Sequence, residues 1–89
     1  VTYPNPLLLA PAADNRLTIE GLPAGSAVRI FTVDGQLVRE LQAFVQETSV
    51  TWDGTNAGGS LVDSGIFFFV VTDRSGHSAT RKFAVIREG

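Results

Sequence analysis

WDGTNAGGSLVDSGIFFFVV, residues 52–71, joins the chain's only tryptophan to a run of aromatic and β-branched residues through a loop of small and polar ones. Ahead of the loop, Ser49-Val50-Thr51-Trp52 alternates, with Val50 and Trp52 on one face and Ser49 and Thr51 on the other, which predicts a half-buried strand. Beyond it, Gly65–Thr72 is apolar on both faces, the pattern of a central strand with a neighbour on each side. Trp52 is large enough to fill the space between two sheets, and Asp53 suits the acceptor of loop N–H groups. Gly54 reaches backbone conformations closed to other residues.

The flanking sequence has the same period of two. Pro4, Pro6 and Pro11 bracket Leu7-Leu8-Leu9-Ala10 and confine it to a short edge strand, since proline has no N–H for a ladder. Leu17 and Ile19 alternate with Thr18 and Glu20, and Leu22-Pro23-Ala24-Gly25 turns the chain. SAVRIFTVDGQLVREL, residues 26–41, reads as a hairpin about a two-residue turn at Asp34-Gly35. Leu41 to Glu47 reads as a connection between sheets. Asp73-Arg74-Ser75-Gly76 is a second turn, and HSATRKFAVIRE closes the chain with Phe83 and Val85 on one face and Lys82, Ala84 and Ile86 on the other. Breakers recur about every 8–12 residues, so the expectation is an all-β fold, an immunoglobulin-like β-sandwich of about seven strands.

At 89 residues the chain is one domain, 1–89, without cysteine or methionine, so burial and hydrogen bonding must stabilise it. Seven scattered basic residues and a net charge of −2 supply no electrostatic footprint for nucleic acid. No apolar run approaches the ~20 residues of a membrane span, so no transmembrane segment is expected. Val1-Thr2-Tyr3-Pro4-Asn5-Pro6 carries neither an initiator methionine nor a signal peptide, which points to a module of a larger protein.

YPNP, GLPAGSAVRIFTVDGQLVREL, WDGTNAGGSLVDSGIFFFVV and TRKFAVIRE, in this order, resemble the FlgD-like immunoglobulin-type domain and its relatives, the C-terminal sorting domains of the type IX secretion system. The resemblance implies a non-catalytic C-terminal domain, residues 1–89, of a secreted or cell-surface bacterial protein exported through the periplasm, acting as a type IX sorting and surface-attachment signal. Its partners would be secretion or surface-attachment machinery, or neighbouring domains of the parent protein. The alternative, ranked second, is a passive structural module: a spacer beside a catalytic domain or a flagellar hook-cap-like domain. Phe67-Phe68-Phe69 stands where the family commonly has tyrosines, so hydroxyl-mediated contacts are missing. Leu7-Leu8-Leu9 follows Pro6 where phenylalanine is common.

In the sorting reading the last strand supplies Lys82, Phe83, Val85 and Arg87, against which stands an ordinary edge strand with a basic outer face. Ile66, Phe68 and Val70 are expected to point outward; Arg29, Arg39 or Lys82 is expected to lie over them, and if uncovered they would form a partner-binding stripe. Trp52, Asp53, Gly54 and Gly65 form the structural motif.

Other chemistries have weaker support. Asp53, Asn56 and Asp63 are the oxygen donors a calcium site would use, but their spacing matches no calcium loop and turn chemistry yields the same residues. Asp73, Ser75 and His77 nominally contain a carboxylate, a nucleophile and a base, yet they share one turn with nothing resembling a nucleophile elbow. Asp14, Glu20, Glu40 and Glu47 read as solvated charge rather than a glycosidase pair. A carbohydrate platform would need Trp52 or Tyr3. No cofactor is expected.

Overall fold

The computed structural model describes residues 1–10 and 15–88; Pro11 and Asp14, invoked above, lie outside them. Seven strands form two sheets, with no helix among the described residues: β1 (Leu7–Leu9), β2 (Leu17–Ile19), β3 (Ala27–Thr32), β4 (Leu37–Gln42), β5 (Val50–Trp52), β6 (Gly65–Thr72) and β7 (Ser78–Arg87). The larger sheet has the order β1-β7-β6-β3-β4 and the smaller pairs β2 with β5. All pairings are antiparallel except β1 with β7. This is the immunoglobulin-like sandwich that the alternation predicts.

The period of two decides what the sheets bury. Leu17, Ile19, Val50 and Trp52 of the smaller sheet share one core with Val28, Ile30, Phe67, Phe69, Phe83 and Val85 of the larger. β6 occupies the middle of its sheet between β7 and β3, so its ladder is complete on both sides. Phe67, Phe69 and Val71 are buried, while Ile66, Phe68 and Val70 face away from the smaller sheet. Leu7 and Leu9 of β1 are buried and Leu8 is exposed, so the leucine run holds down an edge.

Four details differ from the sequence-based expectation. The β3–β4 turn has three loop residues, Val33, Asp34 and Gly35, closed by the Thr32 N–H donating to Gln36 O at 2.9 Å. Only Gly35 takes a positive φ there, +91°, as in a type I turn followed by a left-handed residue. Leu41 and Gln42 belong to β4 rather than to the connection, because they pair with Val28 and Ala27.

β7 is an inner strand, since β1 pairs with Val85–Arg87 on its far side. The Tyr3 hydroxyl and Asn5 side chain continue that cover, bonding Lys82 O at 3.0 Å and the Ala84 N–H at 2.9 Å. Finally, a bulge in the β3–β4 pairing leaves Val38 as an extra residue and sets Arg39 opposite buried Ile30. Arg39 therefore sits on the inward-facing side, away from the outward stripe.

Candidate functional site

The loop after Trp52 satisfies itself. The indole Nε1–H donates to Thr55 O at 2.8 Å. The Thr55 hydroxyl and its N–H both donate to Asp53 Oδ1, which also lies 3.7 Å from Arg39 Nη1. The Thr55 hydroxyl, followed by that N–H and the Arg39 charge, holds the Asp53 carboxyl below its usual range. Asn56 Oδ1 accepts from the N–H groups of Gly58 and Ser60 at 2.9 and 3.1 Å. Gly54 turns the chain at φ +80°, where an added Cβ would stand 2.8 Å from Leu9 Cδ2.

Each of the three candidate calcium donors accepts a hydrogen bond from the protein itself. Asp53 and Asn56 accept from the loop's own donors, and Asp63 accepts from Arg87 Nη1 at 3.0 Å. No group of three or more His, Cys, Asp or Glu side chains forms a metal cluster among the described residues.

Asp73, Ser75 and His77 do meet, in an exposed turn. Asp73 Oδ1 accepts the N–H groups of Ser75 and His77 at 2.8 and 2.9 Å, and its other oxygen lies 3.4 Å from His77 Nδ1. The His77 N–H is foremost in holding the Asp73 carboxyl below its usual range. This geometry shapes a turn; the carboxylate accepts from the backbone while the imidazole is 84% exposed. The aromatic platform also dissolves, because Trp52 is buried and Tyr3 is half-buried with its ring edge against Phe69, centroids 4.9 Å apart.

What the fold leaves open is the outer face of the larger sheet. Leu8 of β1 stands opposite Ile86 of β7, Ala84 opposite Ile66 of β6, Phe68 opposite Phe31 of β3, and Phe31 opposite Leu37 of β4. These pairs run as one apolar band across five strands. Leu8, Ile66 and Ile86 are 42–43% exposed and Leu37 is 56% exposed. Arg29 is held by Glu40 at 2.6 Å towards the polar end of the face, and Lys82 lies beside Phe68.

Next to the band a cleft of about 510 Å³ opens between the β3–β4 turn and residues 61–67, walled by Val33, Leu37, Leu61, Val62 and Ile66. Sequence reading found Ile66, Phe68 and Val70 but missed Leu8, Phe31, Leu37 and Ile86. Their outward phase was visible in each strand's alternation, whereas their alignment depended on register.

The last-strand candidates divide. Phe83 and Val85 are interior, 1% and 2% exposed, and present nothing to a partner; Lys82 and Arg87 are exposed. Trp52 and Gly54 are buried, and Gly65 is exposed where β6 begins.

A family model described as the FlgD Ig-like domain matches residues 11–77. The chain belongs to this family. Among solved structures, this FlgD Ig-like domain is similar to part of PorZ of Porphyromonas gingivalis, described as an essential bacterial surface component of its type IX secretion system. Identity is 40% over 96% of this chain, with a TM-score of 0.76.

The domain spans only 11% of that PorZ chain. Dimeric latent PorU from the same organism shares the fold, at 20% identity over 96% of this chain and 9% of its own, with a TM-score of 0.62. CopC from Methylosinus trichosporium OB3b shares it at 22% identity over 100% of this chain and 93% of its own, with a TM-score of 0.53. No relative was found among curated proteins.

Proposed function

We propose that this FlgD Ig-like domain is a non-catalytic module of a larger secreted or cell-surface bacterial protein, in which it acts as a type IX sorting and surface-attachment signal. The observation that carries the reading is the 40% identity to part of a type IX surface component across almost the whole chain. The apolar band through Leu8, Ile66, Phe68 and Ile86 is the surface such recognition would use, with Lys82 at its side. Phe83 and Val85 contribute by fixing β7 in the core. A non-catalytic role agrees with the exposed turn in which Asp73 and His77 are used.

The reading is tested by fusing residues 1–89 to the C-terminus of an exported fluorescent reporter in a bacterium with a type IX system. The comparison is a doubly substituted Ile66→Ser, Ile86→Ser fusion whose domain is folded by circular dichroism. Surface fluorescence from the parent and periplasmic retention of the variant support both the role and the band. Surface delivery of both keeps the role and moves recognition elsewhere. Periplasmic retention of both, with the parent domain folded, favours a passive structural module. Deleting residues 79–89 would not serve, because it removes most of an inner strand together with Phe83 and Val85.

A further inference from the structure

Two apolar features lie at opposite ends of β3 and match each other. At the end where β3 begins, Phe44 is 78% exposed, while the other five phenylalanines are buried or half-buried. Val45 beside it is 62% exposed. The turn that carries them is braced. The Glu47 N–H donates to Phe44 O at 2.8 Å, the Phe44 N–H to the Glu47 carboxylate at 3.1 Å, and the Gly25 N–H to Glu47 O at 3.1 Å. Phe44 is thus a knob held out in water on a fixed backbone, with no use in the domain's own core.

Where β3 finishes lies the cleft of about 510 Å³ walled by Val33, Leu37, Leu61, Val62 and Ile66. Its volume and apolar walls are those of a pocket that takes a small apolar group. Knob and cleft are separated by the six residues of β3, about 20 Å of strand. No copy of the domain can therefore fill its own cleft with its own Phe44, whereas a second copy can.

Charge is distributed in the same sense. A Cβ on Gly25 would stand 2.8 Å from Arg74 Cδ and 3.6 Å from Val45 Cα, which sets the Arg74 stem beside the knob. Arg74 is exposed and enters no ion pair among the described residues. Asp34 follows Val33 in the turn that walls the cleft; it accepts from the Thr32 hydroxyl and is likewise paired with no cation among the described residues. An unpaired cation beside the knob answers an unpaired carboxylate beside the cleft.

We infer that copies of this domain join head to tail, Phe44 and Val45 of one entering the cleft of the next, with Arg74 set against Asp34. The contact is heterologous. With its two halves at opposite ends of β3 it repeats into an open chain rather than closing as a dimer. One ring and its rim bury less than the roughly 1,200 Å² of a stable interface, so the contact is weak, reversible and effective only where copies are concentrated. It does not depend on the sorting role.

The test is sedimentation equilibrium of the 89-residue chain at concentrations up to about 1 mM, where weak contacts register. The weight-average mass should climb with concentration to more than that of a dimer. Phe44→Ser and Val33→Asp, both at exposed positions off the outer-face band, should each leave a folded monomer by circular dichroism and sedimentation. An equal mixture of these two variants should form dimers and nothing larger, because it retains one intact knob and one intact cleft. Arg74→Glu should weaken association several-fold, and adding Asp34→Lys to the same chain should recover it. A parent that stays monomeric overturns the inference. Association that survives Phe44→Ser, which would place the contact on the band, overturns it too. So do growth that stops at a dimer and is indifferent to Val33→Asp, a mixture that stays monomeric, and a charge exchange that recovers nothing.

Discussion

The indole of Trp52 meets the ring of Phe83 edge-on, with centroids 6.0 Å apart and planes at 81°, and so ties the two-stranded sheet to the inner strand β7 of the other. Phe67 stacks on Phe83 at 5.9 Å, which makes the three rings a single buried joint. Trp52→Ala and Phe83→Ala should each cost about 3–5 kcal/mol, the range for deleting a large buried ring. Urea unfolding of the purified domain checks this. A Phe83→Ala fusion that fails to export would then report lost folding, not lost recognition.

Two glycines of like backbone conformation should differ in their tolerance of alanine. Gly35→Ala meets nothing within 4 Å and incurs only the left-handed penalty at φ +91°, about 1–2 kcal/mol. Gly54→Ala carries a similar penalty and also drives its methyl to 2.8 Å from Leu9 Cδ2 in the core. Its melting temperature should fall clearly further than that of Gly35→Ala.

Acid should loosen the loops before it unfolds the core. Asp53 and Asp73 both have carboxyls held below their usual range, Asp53 foremost by the Thr55 hydroxyl and Asp73 foremost by the His77 N–H. A depressed folded-state value means that the stabilisation is present above the unfolded-state value and lost as pH falls through the folded one. Stability should therefore hold near neutral pH and decline below about pH 4. Asp53→Asn should flatten that decline in a series of melts across pH.

On the outer face, Ile66→Ser should change stability by no more than about 0.5 kcal/mol, as at most surface positions. Phe68→Ser, at a half-buried ring opposite Phe31, should cost about 1 kcal/mol and leave the domain folded. Circular dichroism and chemical denaturation separate these from gross unfolding, which would instead make Phe68 part of the core.

Calcium should leave the melting temperature unchanged relative to chelator, since Asp53 and Asn56 accept from their own loop and Asp63 from Arg87. Asn56→Ala removes the acceptor for two N–H groups and should destabilise by about 1–2 kcal/mol. A melt raised by calcium would restore the metal reading.

Much of the fold was legible because strand formation is a local matter. Val50 and Trp52, Leu17 and Ile19, and Phe83 and Val85 recur at a spacing of two, and all six are buried. Gly65–Thr72, apolar on both faces, lies between β7 and β3 as that pattern indicates, yet only its Phe67, Phe69 and Val71 face is covered by the smaller sheet. The Asp and Gly residues after Trp52 indicated a loop through their side-chain acceptors and backbone freedom.

Tertiary structure decided what depends on partners remote in the chain. The three leucines of β1 pair parallel with β7 and make an inner strand of what seemed an edge, a contact between residues nearly a chain length apart. One extra residue in β4 turned Arg39 inward to Thr55, where a regular strand would have sent it outward. The apolar band exists only because register lines up Leu8 with Ile86 and Phe68 with Phe31. Alternation determines which face of a strand is apolar; which apolar faces adjoin is set by pairing, and pairing is a property of the whole packed core.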